Sequence, residues 1–192
     1  MADRYIELHA RSAFSFLEGS SVPEELVEFC ERFEMPAMAL VDRNGVYGAP
    51  RFHMAAKKAG IKAHVGAEIT CTDGRTYPLL VETRQGYQNL CRLITRMKLR
   101  AKKGEGAATP EELAEFAKGL ICISSDADER LVETFGRSNV FAELQRHRNR
   151  EQEARNQSTV ERARRLGIPL VSTNGVSSAA STGAICSGPG AS

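Results

Sequence analysis

The sequence lacks three features that would place it among exported, disulfide-bonded or membrane-spanning proteins. Its first residues, MADRYIELHARS, contain no apolar core of signal-peptide length. No run approaches the roughly 20 apolar residues that a membrane span requires. The five cysteines are odd in number, and no pair has CxxC spacing. We therefore expect a cytoplasmic protein with reduced cysteines and no membrane partner.

The overall charge identifies no binding partner. The chain has 26 Lys and Arg residues against 24 Asp and Glu residues, which gives a net charge of +2 at pH 7. Its length of 192 residues and its hydrophobic share of 42% fit one globular domain with a sizeable core, with or without an appendage. Function must therefore be inferred from local patterns of charge and hydrophobicity.

Residues 177–192 lack charged side chains altogether. Twelve of these sixteen residues are Ser, Ala or Gly, a composition that buries too little apolar surface to fold. We expect a folded domain over residues 1–176 and an unstructured tail over residues 177–192. Such a tail is typical of a linker, a cloning remnant, an altered reading frame or the end of a fragment.

The folded part alternates between two hydrophobic periodicities. Short apolar, β-branched runs alternate with amphipathic helical patterns, and Asp73-Gly74 indicates a hairpin between two neighbouring strands. About seven strands that mostly alternate with helices predict a parallel α/β architecture, either a barrel or an open doubly wound sheet. The strands are predicted at residues 5–9, 36–41, 61–70, 76–82, 120–124, 140–144 and 168–172.

Ionisable and amide side chains lie at the ends of six of these strands. In parallel α/β folds the functional site lies at the carboxyl ends of the strands, and His9, Asp42, Glu68 and His147 fall in this set. Such side chains can hold a divalent metal ion, which acidifies a bound water and neutralises phosphate charge. Composition alone favours a simpler interpretation, because loops after strands are polar in most proteins.

Residues 83–104 contain no acid and seven Lys or Arg residues. Such a stretch can contact a phosphate backbone, with Arg96, Lys98, Arg100, Lys102 and Lys103 as the candidate nucleic-acid contacts. The alternative is a solvated helix face that runs into a flexible loop, and we favour this alternative.

Five segments along the chain form a recognisable series. They are Tyr5-Ile-Glu-Leu-His, Met35-Pro-Ala-Met-Ala-Leu-Val-Asp, Ala59-Gly-Ile-Lys-Ala-His-Val-Gly-Ala-Glu, Glu143-Leu-Gln-Arg-His and Ile168-Pro-Leu-Val-Ser-Thr-Asn-Gly-Val. With these segments, residues 4–176 resemble the PHP (polymerase and histidinol phosphatase) domain of bacterial C-family DNA polymerases, the relatives of the DNA polymerase III alpha subunit. Ser15-Phe-Leu-Glu-Gly and Thr173-Asn-Gly-Val favour the error-prone branch, since the replicative branch more often has Leu-Leu-Asp-Gly and Thr-Asn-Asp-Val-His.

The resemblance implies a distorted seven-stranded β/α barrel over residues 1–176, with a polynuclear metal site at one end. It also implies a role in DNA replication and in damage-associated (translesion) synthesis by a parent DNA-directed DNA polymerase, a nucleotidyltransferase. The implied partners are the remaining polymerase domains, DNA through the parent protein, and other replication or repair proteins. A polymerase palm and this barrel do not both fit in 192 residues, so we expect a fragment.

The metal-ligand positions that the resemblance implies are only partly retained. His9, Glu68 and His147 match ligand positions of the family. Glu18 fills an acidic position with a longer carboxylate, and Asp42 matches the Asp of an Asp-His pair. The implied metal set is therefore His9, Glu18, Asp42, Glu68 and His147.

Four other ligand positions are replaced. Arg11 and Arg43 stand where the family has histidines, and the closing Asp-x-His reads Gly175-Val-Ser177. An arginine is always protonated and cannot donate a lone pair to a metal ion. Our hypothesis is that the trinuclear site is lost and that these two arginines neutralise Glu18, Glu68 and Asp42 as ion pairs.

Three functions stay open at this stage. The first is a mainly structural domain of an error-prone polymerase, with a degenerate metal site and little or no phosphoesterase activity. The second is a stand-alone metal-dependent phosphoesterase or 3′–5′ exonuclease, which would use one zinc, manganese or magnesium ion held by His9, Glu68 and His147. The third is a module that docks a protein partner.

Overall fold

The structure, a computed structural model, describes residues 5–102, 104–145 and 150–176, with side chains left out at 150 and 151. The predicted tail at 177–192, Lys103 and His147 lie outside these residues. The described strands are β1 (Glu7–Ala10), β2 (Ala37–Arg43), β3 (Lys62–Thr70), β4 (Thr76–Val81), β5 (Leu120–Ser124), β6 (Val140–Gln145) and β7 (Leu170–Thr173). The described α-helices are α1 (Pro23–Arg32), α2 (Ala49–Ala59), α3 (Arg84–Arg100), α4 (Pro110–Phe116), α5 (Glu129–Phe135) and α6 (Arg150–Leu166).

Local sequence signals set several of the helix ends. α1 and α4 begin at Pro23 and Pro110, where the missing N–H would have no partner in the first turn. At α4 the Glu112 N–H donates to the Thr109 hydroxyl at 3.3 Å, and the Thr109 N–H donates to the Glu112 carboxylate at 2.9 Å. α2 ends at Gly60, whose φ of +72° suits a residue without a side chain.

The seven described strands form one sheet in the order β1 to β7. Neighbouring strands are parallel, except that β4 is antiparallel to both β3 and β5. The predicted hairpin at Asp73-Gly74 therefore joins β3 to β4, and Gly74 adopts the positive φ of +81° that the turn requires. The sheet curls into a nearly closed barrel with the helices outside, so the predicted α/β barrel is confirmed.

The barrel closes between β1 and β7 through single hydrogen bonds, without a strand ladder in the described residues. The Arg11 N–H donates to the carbonyl of Val176 at 2.8 Å. The Glu7 carboxylate, which is fully buried, accepts from the N–H of Asn174 at 3.0 Å and from the N–H of His9 at 2.8 Å. We call this junction, in which Arg11 meets Val176 and Glu7 meets Asn174, the seam.

β2 shows which face of the sheet points outward. Met38 and Leu40 belong to a buried cluster that includes residues of α1 and α2. Ala39 and Val41 alternate with them along the strand and cluster instead with Leu80 of β4. Successive side chains of a strand point to opposite faces, so the first pair faces the helices and the second pair fills the barrel interior. The strand is buried on both faces, as expected beneath a helical layer.

A second helix-facing core lies on the far side of the barrel. It joins the outward residues of β3 to β6 with the buried sides of α3, α4, α5 and α6, and its members include Ile69, Leu79, Leu93 and Phe116. The two helix-facing cores cover the outer face of the sheet. Polar side chains are therefore concentrated at the carboxyl ends of the parallel strands. Among the described residues, no helix is both long and apolar enough to cross a membrane.

Candidate functional site

Three ionisable side chains meet inside the carboxyl end of the barrel. His9 of β1, Glu68 of β3 and Glu143 of β6 are all buried. His9 Nδ1 lies 2.7 Å from Glu143 Oε1, and His9 Nε2 lies 3.8 Å from Glu68 Oε1. Glu68 alternates with Ala67 and Ile69, which face the helices, so the strand pleat points its carboxylate inward.

Arg11 binds Glu68 with two nitrogens of its guanidinium group. Arg11 Nε donates to Glu68 Oε2 at 2.6 Å, and Arg11 Nη2 donates to Glu68 Oε1 at 2.8 Å. The same Nη2 lies 3.4 Å from His9 Nε2. Such a two-point pair is strong and directional. Both oxygens of Glu68 are therefore engaged by a cation.

The surroundings keep His9, Glu68 and Glu143 in their charged forms. Burial disfavours the protonated imidazole, but hydrogen bonds to Glu143 and Glu68 outweigh burial and raise the pKa of His9 to about 9. Burial also favours the neutral form of Glu68, yet hydrogen bonds from His9 and Arg11 lower its pKa to about 2. The pKa of Glu143 is lowered against the effect of burial, chiefly by His9. At neutral pH the group therefore contains two buried anions balanced by two cations.

Glu18 and Arg43 extend the ion pairs to the rim of the barrel. Arg43 Nη1 pairs with Glu18 Oε1, and Glu18 Oε2 lies 3.9 Å from Arg11 Nε. Both rim side chains are partly exposed, so water and salt screen their attraction. Arg11 and Arg43 thus form the ion pairs that the sequence suggested for Glu68 and Glu18.

Asp42 does not join this group, and its predicted ion pair with Arg11 or Arg43 is wrong, because those two side chains pair with Glu68 and Glu18. It lies on the helix-facing side of β2, in phase with Leu40, and its carboxylate accepts from the Ser12 N–H at 2.7 Å and from the Ser12 and Ser15 hydroxyls at 2.9 Å. Gly48 packs so closely that a Cβ there would lie 2.6 Å from Asp42 Oδ2. We call the Asp42, Ser12 and Ser15 cluster the hydroxyl pocket. Neutral donors, not cations, satisfy the carboxylate there.

Glu143 is the site residue that sequence reasoning missed. Its Oε1 accepts from His9, from the Thr173 hydroxyl and from Gln145 Nε2, the last at 3.1 Å. The available signal was its spacing, since Phe141, Glu143 and Gln145 alternate along β6 and share the inward face. A carboxylate at an inward position of an otherwise apolar strand indicates a buried partner of opposite charge.

As arranged here, the described residues do not fit a divalent metal ion. They contain no cluster of three or more His, Cys, Asp and Glu side chains that could ligate an ion. Glu68 is bound at both oxygens by Arg11, and Asp42 lies on the other face of the sheet. His147, which the resemblance adds to the set, lies outside the described residues. The metal set therefore stays a prediction.

The site opens into a polar cavity of about 410 Å³ at the same end of the barrel. Its walls include His9, Arg11, Glu68 and Glu143, together with Arg75 from the β3–β4 turn. Arg75 Nη1 lies 3.0 Å from Asp128 Oδ2, so this second arginine is also paired. A small anionic or polar molecule has the space to enter.

The predicted nucleic-acid contacts are mostly engaged within the chain. Arg96 and Arg100 form ion pairs with Glu115 and Glu112 of α4. Lys98 Nζ lies 4.7 Å from the centre of the Tyr47 ring and donates to its hydroxyl at 2.6 Å. Lys102 is exposed, and Lys103 lies outside the described residues. These contacts support the solvated-face interpretation, and DNA contact by this stretch stays a prediction.

A model of the PHP domain matches residues 7–168 of the sequence. The chain belongs to the PHP domain family. The barrel, the inward carboxylates and the polar cavity at the strand ends thus belong to a PHP fold.

Among curated proteins the PHP chain is similar to error-prone DNA polymerases. The polymerase of Anaeromyxobacter sp. (strain K) is 41% identical over 197 residues, which covers 91% of this chain and 17% of the polymerase. The polymerase of Mycolicibacterium paratuberculosis is 36% identical over 202 residues, which covers 89% of this chain and 18% of the polymerase. The chain therefore spans less than a fifth of the length of these relatives.

Solved structures share the fold at low identity. One described as a metal-dependent phosphoesterase from Bifidobacterium adolescentis has a TM-score of 0.63 and 14% identity, covering 90% of this chain and 87% of that one. The lesion-specific endonuclease EndoQ from Pyrococcus furiosus has a TM-score of 0.55 and 14% identity, covering 91% and 48%. At this identity the similarity establishes the PHP-type barrel alone.

Proposed function

We propose that the chain is the PHP domain of an error-prone DNA polymerase, in which an ion-pair network stands where a metal site is implied. Its role is to stabilise the parent polymerase during DNA replication and damage-associated synthesis. The nucleotidyl transfer belongs to other domains of that protein. Its partners are those domains, DNA through the parent protein, and other replication or repair proteins, all within the cytoplasm.

The observation that carries this proposal is the two-point pairing of Arg11 with Glu68. A hydrolytic metal site needs free carboxylate oxygens and unprotonated imidazole nitrogens. Here Arg11 engages both oxygens of Glu68, and the raised pKa of about 9 keeps His9 protonated at neutral pH. The positive charges of His9 and Arg11 therefore already balance the negative charges of Glu68 and Glu143 without a metal ion.

A second candidate is a metal-dependent phosphoesterase or 3′–5′ exonuclease. The polar cavity of about 410 Å³ beside His9 and Glu68 favours it, since a phosphate group would fit there. This function requires Arg11 to leave Glu68, so that one zinc, manganese or magnesium ion can bind His9, Glu68 and His147. The cost of breaking a buried pair weighs against it.

Metal analysis combined with activity assays separates the two candidates. The purified chain would be dialysed against zinc, manganese or magnesium and its bound metal measured by plasma mass spectrometry. Hydrolysis of p-nitrophenyl phosphate and of a 5′-labelled single-stranded oligonucleotide would be measured with the same samples. We expect less than one bound ion in ten chains and no hydrolysis above a metal-free control.

A matched variant makes a negative result informative. Arg11→His restores an imidazole at a family ligand position and frees both oxygens of Glu68. We expect this variant to bind more zinc than the parent chain, because it removes the competing cation. Two or three tightly bound ions in the unaltered chain, or metal-dependent hydrolysis abolished by Glu68→Gln, would refute the structural role.

A further inference from the structure

The outward face of α3 carries a stripe of mainly apolar side chains that are partly or fully exposed among the described residues. Tyr87, Cys91, Thr95 and Leu99 follow one another at intervals of four residues, which places them along one side of the helix. Leu99 is 83% exposed and Tyr87 is 40% exposed. At about 1.5 Å per residue the stripe is roughly 18 Å long, the length of a three-turn helix.

A groove runs beside this stripe. The second wall of the groove comes from α4, where Phe116 and Glu115 face the side chains of α3. The groove has a volume of about 570 Å³, and Arg96 lies over the Phe116 ring with its Cζ 4.6 Å from the ring centre. We call the stripe and this groove together the α3 face. It shares no residue with the polar cavity in the barrel.

Both flanks of the α3 face carry positive charge that the chain itself leaves unbalanced. The nearby acids Glu112 and Glu115 are already paired with Arg100 and Arg96. The remaining exposed cations, which make no ion pair with a described carboxylate, are Arg84, Arg92, Lys98 and Lys102. A partner that covers this face must therefore combine an apolar ridge with flanking negative charge.

We propose that the α3 face binds an acidic amphipathic helix of a second protein. Such a helix would lay apolar residues at i, i+4 and i+7 against Leu99 and Cys91, and its acidic flanks would meet Arg92 and Lys98. A nucleic-acid backbone suits the face less well, because its charged phosphates would lie against the apolar side chain of Leu99. Two of the cations best placed for phosphate, Arg96 and Arg100, are also already paired.

Fluorescence anisotropy with defined probes tests this proposal on the chain as it exists. The first probe is a labelled helical peptide of about four turns with leucines at i, i+4 and i+7 and glutamates beside them. The second has the same composition in scrambled order, and the third is a single-stranded oligonucleotide. We expect saturable binding of the first probe only, and weaker binding as salt is added.

Charge reversal locates the binding surface. Arg92→Glu with Lys98→Glu should weaken peptide binding at least about tenfold, since two attractive contacts become repulsive. Lys57→Glu with Lys58→Glu makes the same charge change on α2 and should leave binding within about twofold. Leu99→Ser should weaken binding without a change in net charge. Circular dichroism and thermal unfolding would show that each variant stays folded.

Three outcomes would overturn the proposal. Equal binding of the ordered and scrambled peptides would show that charge alone is recognised. Equal loss of binding in the α3 and α2 reversals would place the contact elsewhere. Tighter binding of the oligonucleotide than of the peptide, lost on reversal of Arg92 and Lys98, would identify the α3 face as a nucleic-acid surface instead.

Discussion

Two buried carboxylates lie at neighbouring strand ends, and the chain satisfies them in opposite ways. Glu68 faces the barrel interior, where Arg11 and protonated His9 surround it with positive charge. Asp42 faces the helices, where the backbone and hydroxyls of Ser12 and Ser15 bind it. Both positions belong to the predicted metal set, and one step along the pleat decides whether the acid is bound by cations or by neutral donors.

The two sites differ in how much hydration their side chains lose on burial. Ion pairs inside a protein lose hydration on both partners, so removing one member leaves the other buried and unpaired. Neutral hydroxyls lose less hydration on burial than charged groups do. The interior group should therefore be more sensitive to mutation than the hydroxyl pocket.

The largest expected effect follows from Glu68→Ala. This change leaves Arg11 and His9 without their shared anion in a buried setting, and we expect a loss of about 3–5 kcal/mol in the free energy of unfolding. Urea unfolding followed by circular dichroism measures the loss. The control is Glu24→Ala, which breaks the exposed pair between Glu24 and Arg51 and should change stability little. Equal losses in the two variants would contradict the comparison.

Asp42→Ala should have the next largest effect. The Ser12 N–H and the hydroxyls of Ser12 and Ser15 would lose their acceptor, and we expect a loss of about 2–3 kcal/mol. The same urea titration applies, with the triple change to Ala at positions 12, 15 and 42 as a companion. That variant should recover part of the loss, because the unsatisfied hydroxyls are gone. A companion less stable than Asp42→Ala alone would show that the cost arises from packing.

A third prediction concerns pH. The pKa of His9 is raised from 6.5 to about 9 in the folded chain, so its proton stabilises the fold fully below pH 6.5. This contribution disappears as the pH rises through 9 and amounts to a loss on the order of 3 kcal/mol. Urea unfolding at pH 6, 8 and 10 should show the decline. In His9→Gln the decline should be smaller by this amount, and identical pH profiles would contradict the ion-pair assignment.

The smallest effect should come from Arg43→Ala at the rim. Arg43 and Glu18 are partly exposed, so we expect a change of less than about 1 kcal/mol in the free energy of unfolding. Added salt should reduce even this difference, whereas the effect of Glu68→Ala should persist in salt. A rim variant as unstable as Glu68→Ala would mean that the interior and the rim act as one network.

The fold was largely predictable because its signals are local. Asp73-Gly74 marked the hairpin between β3 and β4, Thr109-Pro-Glu-Glu has the residue types that begin a helix, and short apolar runs marked the seven described strands. The barrel itself was chosen through the family resemblance, since the pattern alone left an open sheet as an alternative. Nothing local determines whether β1 and β7 approach, because the contacts that join them link residues far apart in sequence.

The candidate site was predictable only in part. The positions of His9 and Glu68 followed from the strand ends, but the outward direction of Asp42 required the phase of β2. Glu143 lies two residues before the end of β6, as Glu68 does in β3, and only the inward phase of β6 marks it as a site residue. The pairing of Arg96 with Glu115 joins residues 19 positions apart on two helices, which no helical spacing rule covers.

The seam described above also bears on how the barrel opens. The other neighbouring strands of the described sheet are paired through their backbones, whereas the seam is bridged by the side chain of Glu7, by a bond from Asn174 Nδ2 to the Tyr5 hydroxyl and by one backbone bond beyond β7. Local opening begins where the fewest cooperative bonds must break. The amide hydrogens of β1 and β7 should thus exchange with solvent sooner than those of β3. The barrel would then open and close locally along the junction between β1 and β7, while the rest of the sheet stays paired.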